Sequence, residues 1–181
     1  MTKARDLANG GFGLVLIKPS TVVNGTDNGK GTVSFSGASS VSLNDVFSST
    51  YTNYQILMDV SQSTTASVLL RFRTASSDDS SANYSIQNIK AVNTSNDATR
   101  TLGGTSLNLT IVNEANKHFY DLLIMSPNTT ENTSGFVRAT QNMTELLEAF
   151  AVNTATQYTG FSLVASTGSL SGKVSVYGYN K

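Results

Sequence analysis

Stretches in which every second residue is apolar recur along most of the chain, and a period of two is the signature of a β-strand with one buried face. In residues 67–74, Val68, Leu70 and Phe72 point one way and Leu69, Arg71 and Arg73 the other, the pattern of a half-buried strand with a solvated cationic face. Ile56, Met58 and Val60 alternate with Gln55, Leu57 and Asp59, and Val33 and Phe35 with Thr32, Ser34 and Ser36. The same rhythm runs through Val41 and Leu43, through Tyr84, Ile86 and Asn88, and through Leu107, Leu109 and Ile111. Further strands are expected over 117–126, closed by Pro127, and over 135–140, 158–166 and 172–180.

The breaks between these runs are turn chemistry. Asn24-Gly25 and Asn28-Gly29 accept positive φ, and the chain carries 25 Ser, 23 Thr and 17 Asn against only 13% charged residues. Nine or ten short strands at this spacing suit two packed antiparallel sheets rather than alternating βα units. The expected fold is an all-β, antiparallel two-sheet β-sandwich, jelly-roll-like, over residues 21–181. Residues 1–20 are read as an extended N-terminal docking arm with a first strand, hinged at Gly10-Gly11-Phe12-Gly13. One segment stays open: residues 142–152 read as a helix with Leu146, Leu147 and Phe150 on one face, or as a strand that would bury Glu148 beside Leu146, Phe150 and Val152.

Twelve basic and twelve acidic residues cancel, so no long-range field draws the protein to phosphate backbones or anionic lipid. Nucleic acid and membrane are not expected partners. The apolar run Phe12–Ile17 is short for a signal segment and for a membrane span, which suggests synthesis in a cytoplasm. There is no Cys, so disulfides and thiolate metal sites are excluded.

Candidate chemistry is sparse. His118 is the sole histidine and has no nucleophile context, so a strand-edge role is expected. Asp78 and Asp79 offer two carboxylates among hydroxyls that would suit a hard cation, with a solvated loop as the plainer reading. Glu145 and Glu148 resemble a glycosidase pair only in type, since residues three apart on one element mostly share a face and do not straddle a sugar. No enzyme, cofactor or metal site is expected. Arg71 and Arg73 are read as a solvated face that could meet a neighbour's carboxylates. Among the tyrosines, Tyr51 and Tyr84 are the candidate glycan contacts, because aromatic faces suit the apolar faces of sugars.

The C-terminal wording YTGFSLVASTGSLSGKVSVYGYNK, with its turn at Gly168-Ser169 and a last strand from Gly172 to Tyr179, resembles the closing strands of small β-sandwich domains in tail-fibre and other virion proteins of tailed phages of marine or cyanobacterial type. FSSTYTNYQILMDV followed by SVLLRFRT and Ala82-Asn83-Tyr84 is similar to the middle of such domains, and KARDLANGGFG to their starts. The resemblance implies a bacteriophage virion structural protein, a tail fibre or tail-associated component serving assembly and host-cell attachment. A capsid-decorating or head-fibre protein and a carbohydrate-binding module are the alternatives. It further implies docking to other virion proteins through Lys3, Arg5, Leu7 and Phe12, a homotrimer, contact with a host surface glycan, and residence in the virion.

Overall fold

The computed structural model describes residues 13–64, 66–75, 77–92, 94–109, 117–141 and 144–179. The docking-arm residues Lys3, Arg5, Leu7 and Phe12 therefore lie outside the described residues. Sixteen strands are found among those described: β1 (Leu14–Ile17), β2 (Thr21–Val23), β3 (Thr26–Asp27), β4 (Thr32–Ala38), β5 (Ser40–Asn44), β6 (Asn53–Gln62), β7 (Val68–Thr74) and β8 (Ser77–Asp78), then β9 (Tyr84–Val92), β10 (Ser95–Gly104), β11 (Leu107–Asn108), β12 (Lys117–Met125), β13 (Thr133–Gln141), β14 (Thr144–Val152), β15 (Gly160–Ala165) and β16 (Leu170–Tyr179). The number exceeds nine or ten because several are two- to four-residue pieces that carry too few residues to show alternation.

All pairings are antiparallel. The larger sheet has ten strands in the order β10-β9-β14-β13-β12-β6-β16-β4-β3, with β1 paired to the second half of β16. The smaller has six, in the order β11-β7-β15-β5-β2, with β8 folded back on β7. The chain passes repeatedly between the sheets, each time it enters or leaves β2, β5, β7–β8, β11 and β15 of the smaller one. The expected all-β sandwich is thus the observed fold, and the strand Leu14–Ile17 is knitted into it by pairing with the last strand.

Alternation decides which side chains fill the space between the sheets. Tyr54, Ile56, Leu122, Ile124 and Val176 from the larger sheet and Val41, Leu43, Leu70, Phe161 and Leu163 from the smaller one belong to one buried cluster. Phe72 lies at its aromatic centre, within 6.3 Å of the rings of Phe47, Tyr84, Phe150 and Tyr158.

Residues 144–152 form a strand between β13 and β9, not a helix. Leu146, Phe150 and Val152 are buried and Glu145, Leu147 and Ala149 exposed, so the period-two reading holds. Two flanking strands supply its backbone hydrogen bonds, and that outweighs the helix propensity of Glu, Leu and Ala. β10 has no counterpart in the sequence reading. It is an edge strand exposed along nearly its whole length, and with Leu102 as its single large apolar residue it shows no apolar alternation.

Gly135 marks where β13 leaves room for an inward ring. A methyl group there would lie 2.0 Å from the Leu123 carbonyl oxygen and 2.8 Å from the ring of Phe150, its register partner. Gly135→Ala is expected to push Phe150 off Phe72 and to destabilise the fold by about 1–3 kcal/mol in urea unfolding. An unchanged unfolding midpoint would show that the ring is not held there.

Candidate functional site

The solvent face of the larger sheet is built from outward positions that register aligns into rows. One row runs Lys173, Asp59, Phe119, Thr140, Glu145. The next runs Ser175, Leu57, Asp121, Arg138, Leu147, Ile89, and the third Tyr177, Gln55, Leu123, Phe136, Ala149, Gln87. A sheet face that meets only water alternates to polar residues. Here Phe119, Phe136 and Ile89 stand 54%, 53% and 55% exposed, and Leu57 and Leu147 are exposed as well.

These side chains wall two adjoining grooves. One, of about 710 Å³, has Leu57, Asp59, Phe119, Glu145 and Lys173 on its walls, and the other, of about 570 Å³, has Gln55, Gln87, Ile89, Phe136 and Leu147. Asp121 and Arg138 belong to both and so sit on the divide. Gln55 Nε2 donates to Asp121 Oδ1 at 2.7 Å, and Lys117 Nζ lies 3.4 Å from Asp59 Oδ1. Arg138, Glu145 and Lys173 carry no ion pair among the described residues.

The residues singled out from the sequence fall elsewhere. Tyr84 is fully buried: its hydroxyl accepts from the Phe72 amide at 3.0 Å and donates to the Asp79 carbonyl at 2.9 Å, and burial raises its pKa. It offers no face to a sugar, which corrects its candidacy as a glycan contact. Tyr51 is half-buried, packed against the core, and its ring covers Gly178. His118 is buried on the inner face, its ring stacked 6.0 Å from Tyr120.

The reading of Arg73 as solvated is also corrected. Arg73 is buried, ion-paired to Asp78, and donates to Ser162 Oγ at 2.8 Å, Ser42 Oγ at 3.2 Å and Asn44 Oδ1 at 3.1 Å. The tight turn at Ala75, with φ of 51°, folds β8 back so that Asp78 faces Arg73 and covers this outer side of the smaller sheet. Arg71 remains partly exposed, its Nε donating to the Thr105 carbonyl at 3.3 Å.

The two adjacent aspartates are likewise engaged. Asp78 Oδ1 accepts from Ser162 Oγ at 2.7 Å, while Asp79 accepts from the Tyr158 hydroxyl at 2.5 Å and the Ser81 amide at 2.9 Å. Desolvation acts against ionisation of Asp79, but the donors Tyr158, Ser81 and Asn83 prevail and hold its pKa below the usual value. Among the described residues no three acidic or imidazole side chains gather as a metal site.

Glu145 and Glu148 occupy opposite faces of β14, so they do not share a face as a local pair would. Glu148 is 3% exposed, and neither carboxylate oxygen has a hydrogen-bond partner. Burial pushes its pKa up to about 8, an effect that the neighbouring Asn88 only partly offsets.

The chain is a two-sheet β-sandwich whose larger sheet carries an open, grooved outer face. No family model and no curated protein matches the chain. Among solved structures it is similar to the SPRY domain of human HERC1, with 11% identity, TM-score 0.35, and coverage of 93% of this chain and 99% of that one. It is also similar to the binding domain of botulinum neurotoxin serotype D, with 9% identity and TM-score 0.34, over 94% of this chain and 44% of the toxin chain. At these scores neither likeness assigns a function.

Two expectations follow from the buried charges. The native state keeps the Glu148 proton up to about pH 8 and the unfolded chain releases it near 4.5, so the native state binds more protons across that window. This group's contribution to stability is full below pH 4.5 and is lost as pH rises to 8, on the order of 5 kcal/mol across that window. Glu148→Gln should flatten that slope in melting curves recorded from pH 5 to pH 8; parallel slopes in the two proteins would refute the assignment. Asp78→Ala leaves Arg73 buried without its counter-ion and should destabilise the fold by about 3 kcal/mol in denaturant titrations, whereas a loss under about 0.5 kcal/mol would mean that water replaces the carboxylate.

Proposed function

We propose that this chain is a non-catalytic structural component of a tailed-phage particle, tail-associated, serving assembly and attachment to the host surface. The observation that carries the attachment role is the open row structure of the larger sheet. Phe119, Phe136, Leu57, Leu147 and Ile89 are held out to solvent by well-paired central strands, where water alone would select polar side chains. The resemblance of residues 158–181, of 47–60, 67–74 and 82–84, and of 3–13 to virion sandwich domains supplies the setting.

In this reading the leader that contains Lys3, Arg5, Leu7 and Phe12 docks to other virion proteins, and the grooved face is left free. Trimerisation would multiply weak contacts into firm attachment without any single tight site. Of the carboxylates singled out from the sequence, Asp78 and Asp79 are engaged in structural hydrogen bonds and Glu148 lies in the interior.

Antibodies raised against the purified chain should decorate intact particles of the encoding phage in electron micrographs, and peptides of the chain should appear in gradient-purified virions by mass spectrometry. Decoration of the tail fits the reading, and decoration of the head fits the capsid-decorating alternative. Absence from purified particles by both methods would end the proposal.

A further inference from the structure

The occupant of the grooved face follows from its shape, charge and chemistry. We propose that it binds a neutral oligosaccharide laid across β12 and β13, with Phe119 and Phe136 as stacking platforms and Gln55, Asp121, Arg138 and Glu145 hydrogen-bonding its hydroxyls. This rests on the attachment reading above and names the ligand class for that same face.

Shape comes first. The two grooves, of about 710 and 570 Å³, are shallow and open, a shape that suits a chain laid along the face rather than a small molecule enclosed in a cavity. Phe119 faces Thr140, which lies four positions from Phe136 on the same strand, so the two ring-bearing positions are about 14 Å apart along the sheet. A single sugar cannot reach both, but a short chain can, and it would pass over the Asp121–Arg138 divide.

Charge excludes the ionic alternatives. On this face Asp59, Asp121 and Glu145 are balanced by Lys117, Arg138 and Lys173, which leaves no net field for a polyanion or a polycation. A neutral ligand with many hydroxyls matches that balance. Sugars present apolar C–H faces to rings and hydroxyl pairs to planar groups, and the face carries both kinds: Phe119 and Phe136 stand in the two flanking rows and Asp121 and Arg138 in the row between them. Arg138 is available for this because no carboxylate is ion-paired to it among the described residues, and the bond from Gln55 to Oδ1 orients Asp121.

A second copy of the chain fits less well. Protein interface cores are depleted of charge, and closing two such faces together would strip water from Asp121, Arg138 and Glu145 at the centre of the contact. Hydroxyls of a sugar would instead replace that water.

The full-length chain should be applied to an array of neutral hexose and N-acetylhexosamine oligosaccharides, with sulfated and sialylated glycans on the same slide. Binding to neutral oligosaccharides is expected. Titration calorimetry with the strongest of them should then show Phe119→Ala and Phe136→Ala each weakening affinity about tenfold, with Phe119→Tyr near wild type and Tyr51→Ala unaffected. Both phenylalanines are more than half exposed, so the variants should fold, and far-ultraviolet circular dichroism checks it. Silence on the neutral glycans, preference for the charged ones, affinity indifferent to both alanine variants, or a dimer abolished by Phe119→Ala would each overturn the inference. Virion labelling separates the two levels. Particle incorporation without glycan binding defeats this inference alone, whereas glycan binding by a chain absent from particles defeats the virion reading alone.

Discussion

Phe72 makes the contact on which the sandwich closes. It projects from β7 of the smaller sheet into rings supplied by the larger one, Tyr84 and Phe150, and by two connections, Phe47 and Tyr158. Burying such a side chain contributes about 1.5–3 kcal/mol, and each well-placed ring pair adds about 0.5–1.5 kcal/mol. The cluster also has polar ties. The Tyr84 hydroxyl holds the Phe72 amide and the Asp79 carbonyl, and Tyr158 holds the Asp79 carboxylate, so the loop after β8 is pinned to the core it covers.

Closure on one side of the larger sheet fixes what the other side shows. Once Tyr120, Leu122 and Ile124 of β12 face inward, Phe119, Asp121 and Leu123 must face outward, and the same step on β13 sends out Phe136 and Arg138. The grooved face is therefore a consequence of core register. A one-residue slip would exchange it for the core, which is why the inner packing and the outer face cannot vary independently.

Two polar features run against simple patterning. Arg73 occupies an outward position yet is buried, because the β8 hairpin and the hydroxyls of Ser42 and Ser162 close over it. Glu148 occupies an inward position, with Asn88 of the next strand only partly offsetting its desolvation, because Leu146, Phe150 and Val152 on the same face commit β14 to its orientation. In each case the neighbouring residues decide the environment. The side chain then adapts, by ion pairing in one case and by holding its proton in the other.

Period two in residues 54–60, 67–74 and 172–180, with Asn-Gly turns between runs, determined the all-β class and most core positions, because alternation is a local property of each segment. Residues 144–152 were ambiguous since helix and strand both gave them an apolar face, and only pairing with β9 and β13 chose between the two. β10 carried no signal because both its faces meet water. The candidate site was the least legible part. Tyr84 and Phe119 are both aromatic residues on strands, and which of them is hidden depends on which face of its sheet the opposite layer covers. That choice, and the assembly of Phe119, Asp121, Arg138 and Phe136 from two strands into one groove, belong to tertiary structure alone, because register between strands is set by contacts that no single segment contains.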